Sequence, residues 1–289
     1  MKRMSVTGLC LVAVLAVGAV ASVSASAETF PNYKVCAKAA KVGKHYTGLY
    51  NDKGCSEVNA THEGKYELEG ISHATKLTFT GKSGASVLDS YVEGVGVVAS
   101  VTCKKSTASG EISGEATADL VTTFAGCSSS GEPCASTGAK KGEIVTDPLT
   151  ATLVTLKEET KTEPVVIGVD VAGTGGEEKD VTAEFACGAQ LVTTTGSVLG
   201  VVSGNVNAVS KTQTNTFAVN EVGENVYDHV AGGAPDEHIL ISTIKGLGSF
   251  KAAEQSTQDL KISGIIIEPP PSEPCECPCE PPHSGPARC

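Results

Sequence analysis

Apolar and polar side chains alternate along much of the chain between residues 33 and 268. The clearest run is residues 165–171, where every second position carries Val or Ile. Side chains two apart share one face of a strand, so this period predicts β-structure with one buried face. Val166 adds an apolar residue to the opposite face and favours burial on that side as well.

Gly, Ser and Asn separate the apolar runs at intervals of about eight to twelve residues, the spacing typical of all-β sandwiches and barrels. We therefore predict an all-β fold, a disulfide-stabilised antiparallel β-sandwich or barrel. Residues 252–260 are dominated by Gln, Ser and Thr, and we assign them to strand and loop. The other candidate strands are residues 77–80, 95–103, 111–124, 149–157, 165–171, 181–187, 191–202, 239–245 and 260–267.

Composition divides the chain into segments. Residues 28–69 predict a small disulfide-bonded β-hairpin subdomain, and residues 70–268 predict the main β-sandwich domain. Residues 269–289 are rich in Pro and Cys, a composition that favours extended polyproline geometry without ladder hydrogen bonds. We expect this last segment to be a disordered tail.

The first 27 residues have the features of a secretory signal peptide. Lys2 and Arg3 supply a basic start, residues 8–20 are almost all apolar, and residues 25–27 are Ala-Ser-Ala. Signal peptidase accepts small residues at such a site, so we predict cleavage after Ala27. The mature protein is then expected to be secreted or held at the cell surface.

The chain is acidic, with 22 Lys and Arg against 33 Asp and Glu and a net charge of -11. Loss of the signal peptide removes two basic residues and makes the mature chain more acidic still. It contains no basic cluster interleaved with aromatic residues, which disfavours nucleic-acid binding. No later apolar segment reaches the length of a membrane span, so we expect no membrane insertion after cleavage.

Cysteines are abundant, and in an exported chain they are expected to be oxidised. Six lie in the predicted globular part and allow many pairings. Cys127 and Cys134 bracket a polar, turn-forming stretch, and Cys36 and Cys55 flank a Gly-containing hairpin. Cys103 and Cys187 each end an alternating run, so both should face the core of a sandwich. The predicted disulfides are therefore Cys36–Cys55, Cys127–Cys134 and Cys103–Cys187.

The tail carries four more cysteines, Cys275, Cys277, Cys279 and Cys289. Three thiols separated by single residues could ligate a soft cation, with Cys289 or His283 as a further ligand. The spacing differs from that of a zinc knuckle, and oxidation competes with metal binding outside the cell. We expect disulfides within one tail or between the tails of two molecules instead.

One loop gathers residues that could perform chemistry. Residues 228–238 contain Asp228, His229, Asp236, Glu237 and His238 around a Gly-Gly pair. Carboxylates and imidazoles in such proximity could bind a divalent ion or act as general acid and base. Acidic residues also populate solvated loops of acidic proteins, and this second interpretation is favoured. We assign no catalytic, cofactor-binding or metal-binding residue, and expect no cofactor.

The motif content of the chain disfavours several function classes. Neither a Gly-x-Ser-x-Gly nucleophile motif nor a phosphate-binding glycine loop occurs in the sequence. Sugar platforms rely on exposed aromatic faces, whereas this chain lacks Trp and has 4% aromatic residues. Tyr46, Tyr50 and Tyr66 are the clustered candidates, and hairpin packing is the favoured interpretation for them.

The chain resembles a group of uncharacterised exported proteins of actinobacteria. The resemblance extends over most of the mature chain to about Val202 and leaves out the Cys-rich tail. Because that group has no established activity, the resemblance implies no site residues. The motifs that carry it are residues 64–67 (Gly-Lys-Tyr-Glu), 101–103 (Val-Thr-Cys), 110–114 (Gly-Glu-Ile-Ser-Gly), 124–127 (Phe-Ala-Gly-Cys) and 142–146 (Gly-Glu-Ile-Val-Thr), the last leading to Leu149.

These observations leave two functional hypotheses. The favoured one is a secreted or cell-surface β-rich protein that is structural or ligand-binding and has no identifiable catalytic site. The alternative is an extracellular hydrolase that uses carboxylate or metal chemistry near residues 228–238. Convergence of those side chains in a concave pocket would favour the hydrolase, and their dispersal would favour the first hypothesis.

Overall fold

The computed structural model contains β-strands and no helix in the residues it describes, and the predicted all-β fold is confirmed. The residues described are 31–71, 77–174, 180–204, 206–221, 223–235 and 237–270. The strands are β1 (Asn32–Lys38), β2 (Lys41–Val42), β3 (His45–Tyr46), β4 (Tyr66–Gly70), β5 (Leu77–Ser83), β6 (Ser86–Val92), β7 (Gly96–Cys103), β8 (Lys105–Ile112), β9 (Thr117–Ala125), β10 (Ser128–Ser129), β11 (Glu132–Ala135), β12 (Glu143–Val145), β13 (Leu149–Lys157), β14 (Val166–Gly173), β15 (Val181–Cys187), β16 (Gln190–Ser203), β17 (Ser210–Phe217), β18 (Leu240–Ile244) and β19 (Gly248–Glu268).

The strands close into a barrel. The wall has eight positions, each occupied by one strand or by two or three strands that follow one another in line. Each position pairs antiparallel with the next along the chain, and β19 at the last position pairs back with β5 and β6 at the first. Consecutive pairing followed by closure defines an up-and-down barrel, in which no strand edge is left open along the closed wall. The positions hold, in chain order, β5 with β6, β7 with β8, β9 with β10, β11 with β12 and β13, β14 with β15, β16, β17 with β18, and β19.

Most positions consist of two strands joined end to end. Ser83 faces Ser106 in one pair of strands, and Ser86 faces Cys103 in the next, so the same register continues through both. We call the part built on β6, β7, β10, β11, β15 and β18 the cysteine half. The part built on β5, β8, β9, β13, β14 and β17 is the terminal half. The long strands β16 and β19 run through both halves.

The N-terminal strands extend the terminal half. β1 pairs with the last residues of β19, and β4 pairs with the other edge of β1. Tyr33 of β1 is 3% exposed, packs with the core of the terminal half and shares a hydrogen bond with Gln213. The predicted Cys36–Cys55 disulfide is present and ties β1 to the segment before β4, with its Cα atoms 5.7 Å apart.

Apolar side chains fill the barrel in two clusters. In the terminal half the cluster includes Leu153 and Ile267, both at 0% exposure, and in the cysteine half it includes Phe185 and Ile244. A smaller cluster lies on the outer surface, beneath the loop that joins β17 to β18. Its members are Val154, Leu156, Leu199, Val166, Val201, Tyr227 and Val230. The loop containing residues 228–238 is therefore packed onto the outside of the wall.

Four cysteines lie in a row across neighbouring positions of the wall. Cys134 faces Cys187 directly, and the pairing of Ser128 with Thr102 sets Cys127 beside Cys103. The disulfides are Cys103–Cys127 and Cys134–Cys187, each with its Cα atoms 4.0 Å apart. The predicted pairs Cys127–Cys134 and Cys103–Cys187 are wrong.

Strand geometry explains the correct pairing. Directly opposed residues in an antiparallel pair are closer when they share no backbone hydrogen bonds. Cys134 N donates to Cys127 O at 3.0 Å, so these two form the wider kind of pair. Cys103 on β7 and Cys187 on β15 lie three positions apart around the wall, because the fold is a barrel and not a sandwich of facing sheets. The disulfides therefore connect each outer cysteine to its immediate neighbour.

The predicted signal peptide lies outside the described residues, as does the predicted tail from residue 271 onward with its cysteines Cys275, Cys277, Cys279 and Cys289. Within the described part of the chain, no helix has the length and apolar character needed to span a membrane.

Peptide mapping distinguishes the two disulfide patterns. Trypsin leaves Cys127 and Cys134 together on the peptide 106–140, because no Lys or Arg lies between them, and puts Cys103 and Cys187 on peptides 83–104 and 180–211. The structure predicts one species in which all three peptides are linked. Mass spectrometry of a non-reduced, alkylated digest that found peptide 83–104 joined to 180–211 alone would contradict the structure.

Removal of either wall disulfide should destabilise the barrel. The loops they close span 24 and 53 residues, for which loop-closure entropy gives about 3 to 4 kcal/mol each. Cys103→Ser/Cys127→Ser and Cys134→Ser/Cys187→Ser double variants should therefore unfold at lower urea concentration. Equilibrium unfolding measures the loss, with the Cys36→Ser/Cys55→Ser variant, whose loop is shorter, as the comparison. Unchanged midpoints would contradict this role.

Candidate binding cavity

The barrel encloses a cavity of about 110 Å³ where its two interior clusters meet. Val101 and Phe185 line it from the cysteine half, and Leu120 and Val198 line it from the terminal half. A closed barrel of eight positions has an interior just wide enough to be filled by side chains or to hold one small ligand. In this barrel, side chains fill the interior of each half, and a space remains between the two clusters.

A belt of hydroxyl groups surrounds the cavity. Most of the belt is satisfied within the protein: Thr182 Oγ1 and Thr194 Oγ1 are 2.7 Å apart, and Thr122 N donates to Thr146 Oγ1 at 3.0 Å. Hydroxyls are costly to bury without partners, so these bonds explain how a polar ring persists inside an apolar barrel. The belt consists of Ser86, Ser106, Thr122, Thr146, Thr182, Thr194 and Ser256.

Ser86 departs from this pattern. It begins β6, is 3% exposed and lines the cavity, yet its Oγ has no hydrogen-bond partner in the described part of the protein. A buried hydroxyl without a partner costs about 1 to 3 kcal/mol. An orphaned group at a cavity wall is a place where a bound molecule can supply the missing bond.

Glu254 is the one carboxyl group among the residues that line the cavity. Its position follows from strand alternation, because Leu260, Gln258 and Ser256 occupy the same face of β19 and all three are buried. Ser256 Oγ donates to Glu254 Oε1 at 2.8 Å. A side chain from the β17–β18 loop also holds the strand here, with Glu254 N donating to Asn225 Oδ1 at 3.3 Å.

Burial raises the pKa of Glu254, and the hydrogen bond from Ser256 lowers it by less. Removal of a carboxylate from water penalises its charged form, so the group holds its proton more tightly than a free glutamic acid does. No Lys, Arg or His is among the residues that line the cavity. The site thus combines apolar walls, one orphaned hydroxyl and one carboxyl without a cationic partner.

This site was not predicted from the sequence. Residues 252–260 were assigned to strand and loop, whereas the structure places them in the middle of β19. The alternation of Leu260 and Ile262, extended backwards, would have placed Glu254 on the inner face. Polar residues ordinarily face solvent, so the pattern of this strand did not predict that Glu254 and Ser256 face the interior.

The residues of the predicted acidic loop do not converge on one pocket in the described part of the chain. Asp228 and His229 form a pair with each other, and Glu237 accepts a hydrogen bond from Ala234 N at 3.1 Å. Asp236 lies outside the described residues. Among the residues described, no group of three or more His, Cys, Asp or Glu side chains is placed to hold a metal.

His238 makes contacts that sequence analysis did not anticipate. Its Nδ1 is 3.0 Å from Asp170 Oδ2 and 3.3 Å from Ser197 Oγ, on the outer face of β14 and β16. A serine-histidine-aspartate relay needs the carboxylate and the hydroxyl on opposite ring nitrogens. Here both lie at the same nitrogen, so this geometry anchors the β17–β18 loop to the wall and does not form a relay.

The tyrosines considered for sugar binding lie in the N-terminal extension. The ammonium groups of Lys38 and Lys41 lie over the ring of Tyr46, at 5.7 and 4.6 Å from its centre. Tyr50 pairs through its backbone with Tyr66. The cation contacts assign the ring of Tyr46 to packing within the extension.

Comparison with known proteins adds no relative to this description, since no family model, curated protein or solved structure matches the chain.

The raised pKa of Glu254 predicts how stability depends on pH. A folded-state pKa above the unfolded value contributes stability below the ordinary glutamate pKa, and this contribution is lost as pH rises through the folded pKa. Glu254→Gln has no titrating carboxyl at this position and does not lose this contribution. Its free energy of unfolding minus that of the parent should therefore increase between about pH 4 and about pH 8. Urea unfolding at the two pH values measures the difference. The exposed Glu184→Gln is the matched control, and an equal pH response in both variants would contradict the assignment.

Proposed function

We propose that this protein is an extracytoplasmic binding protein that holds one small, largely apolar molecule in the cavity of its barrel. The observation that carries the proposal is Ser86, a buried and unpartnered hydroxyl that lines an interior space already walled by apolar side chains. Binding sites commonly combine an apolar lining with a few polar groups that set orientation.

Three disulfides in the described residues are compatible with a location outside the cytoplasm. The signal-peptide features of residues 1–27 support export, and disulfides persist mainly in oxidising compartments. Secretion or attachment at the cell surface is part of the same proposal.

The size of the cavity limits the ligand. An engineered protein cavity of about 150 Å³ accommodates benzene, so a space of about 110 Å³ suits a molecule of about four to six non-hydrogen atoms. We do not extend the proposal to hydrolysis, because the carboxylates and imidazoles described near residues 228–238 are engaged in separate contacts.

The proposal is tested by filling the cavity. Ser86→Leu removes the orphaned hydroxyl and projects a larger apolar side chain into the space, so it should abolish binding and stabilise the barrel by about 1 kcal/mol or more. Binding of a panel of small alcohols, amines and hydrocarbons is measured by chemical-shift changes in the amide spectrum, and stability by urea unfolding.

Thr107→Leu is the matched control, because Thr107 is exposed on the outer face of β8 next to the inward-facing Ser106. It should leave binding unchanged. If no molecule in the panel shifts resonances of cavity-lining residues in the parent protein, the space is only a hydrated part of the core and the proposal fails.

A further inference from the structure

The polar groups of the cavity point to a particular class of ligand. Resting on the function proposed above, we infer that the molecule bound is a small aliphatic amine, with its ammonium group paired to the Glu254 carboxylate and its hydrocarbon body against the apolar walls. The amine is identified by three features of the cavity, namely an acid without a cationic partner, the absence of any lining base, and the position of this acid and of the orphaned Ser86 hydroxyl on two paired strands.

The first feature is the unmatched bonding capacity of Glu254. Ser256 Oγ donates one hydrogen bond to Oε1, whereas a carboxylate can accept about four. An ionised carboxylate in an apolar interior needs a compensating charge, which neither a hydroxyl nor an amide provides. An ammonium group supplies both the charge and up to three hydrogen-bond donors.

The second feature is the sign of the surrounding charge. None of the residues that line the cavity is basic, and the chain as a whole carries a net charge of -11. A protein of this charge attracts cations and repels anions on approach. A carboxylate or phosphate ligand would meet like charge at Glu254 and find no base to pair with, so anionic molecules are excluded.

The third feature is the arrangement of the walls. Glu254, Ser256, Ser86 and Gln258 lie on neighbouring strands β19 and β6, which pair directly with each other. At another position of the wall, Phe185 of β15 presents apolar surface, and the neighbouring hydroxyls of Thr182 and Thr194 are bonded to each other. A ligand with one polar end and a short hydrocarbon body matches this division. The orphaned Ser86 hydroxyl oxygen can accept a hydrogen bond from a second N–H of the same ammonium group.

The experiment compares three probes that share a four-carbon framework: isobutylamine, isobutanol and isobutyrate. The parent protein should bind isobutylamine about tenfold or more tightly than isobutanol, equivalent to about 1.4 kcal/mol, and should not bind isobutyrate. Affinities are obtained by calorimetry and by titration of amide chemical shifts at neutral pH.

Glu254→Gln keeps the size of the side chain but removes its charge, so the preference for amine over alcohol should fall to about onefold while isobutanol still binds. The exposed Glu184→Gln should keep the preference of the parent. Amide spectra of each variant confirm folding. If Glu254→Gln does not fold, Glu254→Asp withdraws the carboxylate by one methylene and should weaken the preference.

The outcomes separate this inference from the function it rests on. Equal binding of isobutylamine and isobutanol in the parent, or tighter binding of isobutyrate, overturns the amine assignment and leaves the binding cavity in place. Failure of all three probes, and of the wider panel, to reach the cavity overturns both.

Discussion

Closure of the barrel by β19 is the constraint on which the rest of the structure depends. This strand pairs on one edge with β17 and β18 and on the other with β5 and β6, and its final residues also carry β1. Without it the wall would be an open sheet with two exposed edges, and the interior clusters would face solvent. The same strand contributes Glu254, Ser256 and Gln258 to the cavity. One segment therefore closes the fold and supplies its most polar interior surface.

The cysteines reinforce the part of the wall farthest from β19. Cys103 to Cys187 cover four adjacent positions, from β7 to β15, with each disulfide joining one pair of neighbours. Between the pairs, the β10–β11 hairpin is linked through backbone hydrogen bonds such as the one between Cys134 and Cys127. The N-terminal disulfide performs a corresponding role in the extension that packs Tyr33 into the terminal half. Covalent links thus support regions whose strands are short.

The sequence predicted the fold class because alternation reports directly on strand burial, as at residues 165–171, where Ile167 and Val169 are each 1% exposed. It left open the choice between sandwich and barrel, since closure depends on pairing between β19 and β5, about 180 residues apart, which no local pattern encodes. The error in cysteine pairing had the same origin. The cavity was missed because Glu254 and Ser256 break the rule that relates polarity to exposure, and such breaks concentrate at functional sites.

The position of the closing strand also bears on the order of events as the chain is made. Synthesis proceeds from the N-terminus, so the hairpins from β5 to β16 and both wall disulfides can form while β19 is still absent. Such an intermediate would present β5 and β6 at one side of the sheet and β16 at the other as open edges, together with the apolar inner faces of a curved sheet. During this interval the strands already joined by disulfides limit how far the sheet can open and aggregate. The row of cysteines is placed where it can hold the unfinished wall in shape until its last strand arrives.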